Sequence, residues 1–155
     1  MLGLLLLVVG LYKGYPRTQT EIMTTPIAAI AQLSGFGVSD TGRVLSRVTS
    51  NELPFIDANA PILFGGEQLK GNGIETTLAF LSALKQHNIE VTYINLYDAQ
   101  YMDLLLASKV VIVYNNSIEP IAMASSLQNM LGLFTIEGRM PTTIDIRYRQ
   151  PVVVF

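Results

Sequence analysis

Apolar and polar residues alternate near the end of the chain. In residues 143–148, Ile144, Ile146 and Tyr148 share one face, and Thr143, Asp145 and Arg147 the other. A period of two predicts a strand with one buried face. Residues 152–155 are all apolar and predict a second strand. The two read as a hairpin, but Arg149-Gln150 is poor chemistry for a two-residue primed turn, so a longer loop is expected. An exposed apolar edge strand is an aggregation template unless charge, a bulge or a partner covers it.

The same reading extends backwards. Residues 89–96, 101–106 and 109–114 predict three strands, with Ala107-Ser108 between the last two. Residues 74–87 carry Ile74, Leu78, Leu81 and Leu84 at helical spacing. Lys85 and His87 fall at the end of that helix, where positive charge is favoured, and Asn88 is the expected C-cap. A second helix is predicted from Ser117 as N-cap, with Glu119 and Pro120 in its first turn. Its inward residues are Ile121, Ala124, Leu127, Met130 and Leu131, and Gly132 ends it.

Nearer the N-terminus, residues 4–12 read as a buried strand, broken by Lys13-Gly14-Tyr15-Pro16. Residues 18–24 alternate and predict a half-buried strand. Residues 26–32 are ambiguous between a short strand and a helical turn. Asp40-Thr41-Gly42 between apolar flanks predicts a hairpin in which Asp40 caps the turn and Gly42 takes a positive φ. Residues 51–56 are expected to be extended, and residues 57–73 to form a connector. Strands predominate over two main helices, so the expected class is α+β with a mostly antiparallel sheet.

Composition narrows the function. Of 155 residues, 50% are hydrophobic and 14% charged, which is enough for a sizeable core. The net charge of −2 gives no global field for nucleic acid, and no nucleic-acid partner is expected. There is no cysteine and one histidine, His87. Disulfides and thiolate metal sites are thereby excluded, and any Ser-His-Asp triad would have to use His87. The carboxylates Asp57, Asp98, Asp103 and Asp145 follow no metal-ligand pattern, so neither metal nor cofactor is expected. Residues 1–12 are apolar over about half the ~20 residues that span a bilayer. They lack a basic n-region and a cleavage site. A buried strand is expected there, with a truncated membrane or export segment as the other reading.

Several motifs have bland explanations. The Gly65-Gly66 to Gly73 stretch lacks the order that sets a lysine on phosphate. Asn115-Asn116-Ser117 fits a glycosylation acceptor but equally a turn and helix cap. Asp40-Thr41-Gly42 matches the D-T-G of aspartic proteases, in which two carboxylates share a proton. Ser39 precedes it, Arg43 follows it and no second copy exists, so a protease would need a homodimer.

In order along the chain, "YPRTQTEI", "PIAAI", "VSDTGRVLSR" and "LPFI" resemble the junction and first hairpin of the FtsQ/DivIB cell-division family. "SKVVIVY", a helix and then "TIDIRYRQPVVVF" resemble that family's closing segment. The resemblance covers residues 15–155. It implies a remnant of a POTRA region in residues 1–32 and an FtsQ/DivIB-like β domain in residues 33–155, in a fragment, a chain with a misplaced start or a shortened relative. It implies a non-enzymatic divisome scaffold on the extracytoplasmic face of the bacterial cytoplasmic membrane, membrane-anchored if a span lies upstream. Its partners would be FtsB-like and FtsL-like coiled-coil proteins, docked on the last strand by β-strand addition. Tyr148 would touch the partner, and Gln150, Val152, Val153, Val154 and Phe155 would flank or supply the edge. Arg147 is expected to be a solvated or paired charge rather than a contact. A POTRA-like docking module for export or outer-membrane assembly is the alternative within the same structural class.

Overall fold

The computed structural model describes residues 27–48, 52–58, 66–71 and 73–155. The strands expected in residues 4–12 and 18–24 lie outside the described residues. The chain order is β1 (Ala29–Leu33), β2 (Phe36–Ser39), β3 (Val44–Arg47), β4 (Phe55–Ala58), α1 (Ile74–Gln86), β5 (Val91–Leu96), β6 (Tyr101–Leu106), β7 (Val111–Asn115), α2 (Pro120–Glu137), β8 (Thr143–Asp145) and β9 (Val152–Val154). This is an α+β architecture. All the strands join one sheet in the order β3-β2-β1-β4-β5-β6-β7-β8-β9.

Most pairings are antiparallel. The parallel ones are β1–β4, β4–β5 and β7–β8. The last two each span a helix, because a chain must cross over before it can lay down a parallel neighbour. The ambiguous segment at residues 26–32 resolves as strand β1. The expected boundary between residues 32 and 33 falls within it.

Both helices pack on one face of the sheet and against each other. Strand alternation sets that face. Ile94 and Leu96 of β5, Met102, Leu104 and Leu106 of β6, Ile112 and Tyr114 of β7 and Ile144 of β8 are buried. Their neighbours Tyr93, Asn95, Asp103 and Val113 turn to the opposite face. From α1, Phe80 stacks on Tyr114 with ring centroids 4.1 Å apart. Each fully buried side chain of this size contributes about 1.5–3 kcal/mol. The Tyr114 hydroxyl donates to the Ile118 carbonyl at 2.5 Å. Burial pushes the Tyr114 phenol up to about 12.

Local chemistry fixes the element ends. Asn88 takes the left-handed conformation (φ 56°) beyond α1. The Ile89 amide bonds the Leu84 carbonyl and the Asn88 amide that of Lys85, the paired bonds of a Schellman motif. Four details differ from the sequence reading. Glu119, not Ser117, caps α2: its carboxylate accepts from the Ile121 and Ala122 amides at 3.0 and 2.6 Å. That charge sits on the positive end of the helix dipole. α2 also runs through Gly132 and ends at Gly138, which supplies the left-handed φ of 67°. Ile121 points outward at 62% exposure. In the β2–β3 turn Gly42 has its positive φ of 84°. The capping side chain, however, is Ser39, whose Oγ accepts from the Arg43 amide at 3.0 Å.

Candidate functional site: the β9 edge

The β8–β9 hairpin holds every residue of the expected docking edge. β8 is short because Asp145 redirects the chain. Its Oδ1 accepts from the Arg147 amide at 3.1 Å, an Asx turn that competes with the sheet ladder. Arg147 then closes on the same carboxylate, with Nε on Oδ1 at 3.0 Å and Nη2 on Oδ2 at 2.6 Å. The bidentate geometry is the strong form of this pair. The Arg147 hydrogen bond holds the Asp145 carboxyl below the usual carboxylate range, and Arg147 is itself shifted upward.

This turn changes the expected face of Tyr148. Ile144 and Ile146 are buried, but Tyr148 lies beyond the end of β8 and is 59% exposed. The Arg147 guanidinium stands 5.5 Å from its ring centroid. Gln150 is exposed in the loop that leads to Pro151. Tyr148 and Gln150 thus belong to the hairpin loop, and Val152, Val153 and Val154 to the strand.

Register decides which backbone groups of β9 are available. Thr143 faces Val154, Ile144 faces Val153 and Asp145 faces Val152. The Val111 amide donates to the Thr142 carbonyl and the Ile146 amide to the Val113 carbonyl, each at 2.9 Å. Ile144, between these two bonds, therefore turns its backbone to β7, and Thr143 and Asp145 turn theirs to β9. It follows that Val152 and Val154 bond inward. The Val154 carbonyl also accepts from the Thr142 amide at 2.8 Å and from the Thr142 hydroxyl at 3.1 Å. Val153 is the strand residue whose N–H and C=O point away from β8. Among the described residues no strand occupies that side.

The side chains follow the opposite logic. Val153 packs against the core, whereas Val152 and Val154 are each 52% exposed on the sheet face opposite α1 and α2. Phe155 is clamped: its ring meets Phe134 of α2 edge-on at 5.7 Å, and the Arg139 guanidinium lies 3.9 Å from its centroid. Phe134 and Arg139 are the contributors that sequence reading missed. The available signal was an aromatic on the inward phase of α2 and a cation just past its end.

The remaining candidates lie elsewhere. Asp40 is exposed at the β2–β3 turn, at the far side of the sheet. His87 joins the helices. Gln128 Nε2 donates to the His87 carbonyl at 3.1 Å, so its Oε1 faces His87 Nδ1 at 2.8 Å, and that nitrogen must carry the proton. Among the described residues no group of three ligating side chains could hold a metal ion. No described helix is long and apolar enough to cross a membrane. No protein-family model matches the sequence, and no curated protein matches it either.

Proposed function

We propose that this chain is a non-enzymatic scaffold of bacterial cell division, related to the FtsQ/DivIB β domain. It recruits small coiled-coil proteins of the FtsB and FtsL kind by accepting a strand on β9. The proposed setting is the extracytoplasmic face of the cytoplasmic membrane. The observation that carries this reading is the edge itself: β9 is paired on one side, and Val153 turns its amide and carbonyl to the other. An added strand takes affinity from such backbone bonds and register from the side chains beside them. The resemblance of the "TIDIRYRQPVVVF" segment to that family's closing segment is the second support.

The hairpin suits the task physically. The Asp145–Arg147 pair holds the start of the loop, and the Phe155 clamp holds the far end of β9. An edge fixed at both ends loses little further conformational entropy when a partner docks. Tyr148, large and exposed, is the anchor beside it.

Co-purification with FtsB-like and FtsL-like proteins tests the reading. Tyr148→Ala is expected to weaken capture by about tenfold, the ~1.4 kcal/mol of a modest anchor. Capture by neither the parent nor the variant would reject the assignment.

A further inference from the structure

The sheet face that carries no helix among the described residues has an ordered pattern. In register, Phe55, Tyr93, Leu105, Val111, Thr143 and Val154 stand side by side across β4 to β9. This row crosses the strands and is apolar apart from the Tyr93 and Thr143 hydroxyls. Phe55 and Tyr93 stack within it, with ring centroids 6.0 Å apart. One step along the strands lies a parallel row holding Asp57, Asp103 and Asp145. Beyond that row stand the exposed rings of Tyr97 and Tyr101.

The acidic row is only partly matched. Asp145 is paired with Arg147. Asp57 and Asp103 each accept one tyrosine hydroxyl at 2.7 Å, from Tyr93 and Tyr97. Neither has a cation within ion-pair reach among the described residues. Each keeps lone pairs free, beside aromatic faces that attract cations.

We infer that this face is a second docking surface, for a basic amphipathic helix of another protein, laid across the strands. The apolar row spans five strand spacings, roughly 24 Å at ~4.8 Å each. That matches about 16 helical residues at 1.5 Å per residue. The apolar stripe of the helix covers the row from Phe55 to Val154, and Lys or Arg on one flank reaches Asp57 and Asp103. Charge selects this occupant. An anionic lipid surface is repelled by the same carboxylates, and a second copy of this chain would set like charges against each other. The surface is distinct from the outward backbone of β9, so occupying it leaves that edge open.

The test uses the whole chain, labelled with 15N, and a synthetic helix of about 18 residues with a leucine stripe and a lysine flank. A control peptide carries glutamate in place of lysine. The basic peptide is expected to shift the amides of Tyr93, Leu105 and Val111 and to weaken about tenfold between low and high salt. Leu105→Glu is expected to abolish binding, and Asp103→Lys to transfer preference to the glutamate peptide. Because Leu105 is 36% exposed and Asp103 half-buried on this face, both variants are expected to keep the parent melting temperature within a few degrees. Equal binding of both peptides, shifts confined to α2 or the β9 edge, or no binding would overturn the inference. So would co-sedimentation of the chain with anionic vesicles in preference to the basic peptide.

Discussion

The guanidinium carbon of Arg139 lies 3.9 Å from the ring centroid of Phe155. One residue sits just past the end of α2 and the other just past the end of β9. Their contact ties the last strand to the helix layer, and Phe134 closes the ring from its edge. An exposed cation–π contact is worth about 0.5–1 kcal/mol and an aromatic pair a similar amount.

Arg139→Ala is therefore expected to cost about 0.5–1 kcal/mol, and Phe155→Ala about 1–2 kcal/mol. The loss should be local. Amide exchange at Val154, which bonds inward to β8, should speed up before the amides of β5 and β6 respond. Unchanged exchange at Val154 in the Phe155 variant would show that the clamp does not hold the strand.

Two glycines should respond oppositely to alanine. Gly42 has φ 84°, and a Cβ there would stand 2.9 Å from the Leu69 carbonyl oxygen. Gly42→Ala is expected to destabilise by more than ~1 kcal/mol. Gly132 lies inside α2 with nothing within 4 Å of a built Cβ. Gly132→Ala should stabilise by about 0.5–1 kcal/mol in thermal or denaturant unfolding. A helix that ended at Gly132 would give no such gain.

That contrast shows how far the sequence could be read. Alternation placed β5 and the start of β8, an apolar run placed β9, and helical spacing placed α1 to within a residue, because burial stamps its pattern on the chain. α2 was harder. Leu133 and Ile136 are apolar yet 59% and 84% exposed, which blurs its periodicity, and Gly132 mimics a stop. A side-chain carboxylate and proline start the helix at Glu119-Pro120, two residues beyond the serine that composition favours. The β9 edge was legible as a run of valines. Its direction was not, because which amide faces outward depends on the β7–β8–β9 register, and that follows from non-local pairing. The clamp from α2 was hidden for the same reason.

Acid should loosen the start of the hairpin loop. The Arg147 hydrogen bond lowers the Asp145 pKa. A lowered carboxylate contributes stability above its unfolded pKa of about 3.9 and loses it as pH falls through the folded value. Titration of the Asp145 side-chain carbon by NMR should give a midpoint below that of an unpaired aspartate. Arg147→Ala should return the midpoint upward. An ordinary midpoint in the parent would mean that the pair is not maintained in solution.

The His87–Gln128 link offers a spectroscopic check on helix packing. The Gln128 amide orientation requires the proton on His87 Nδ1. Imidazole 15N shifts at neutral to alkaline pH should report that tautomer in the parent. Gln128→Ala should release it and cost about 1 kcal/mol. An unchanged tautomer in the variant would show that the pairing is not what fixes it.

The most direct measurement is the affinity of FtsB-like and FtsL-like proteins for Val153→Pro, measured by calorimetry. Proline removes the outward N–H of β9 while Val152 and Val154 keep their inward bonds to β8, a position where an edge strand tolerates it. The expected result is at least about a tenfold loss of affinity with the β8 amides still protected from exchange. Undiminished affinity with that ladder intact would contradict strand addition at this edge.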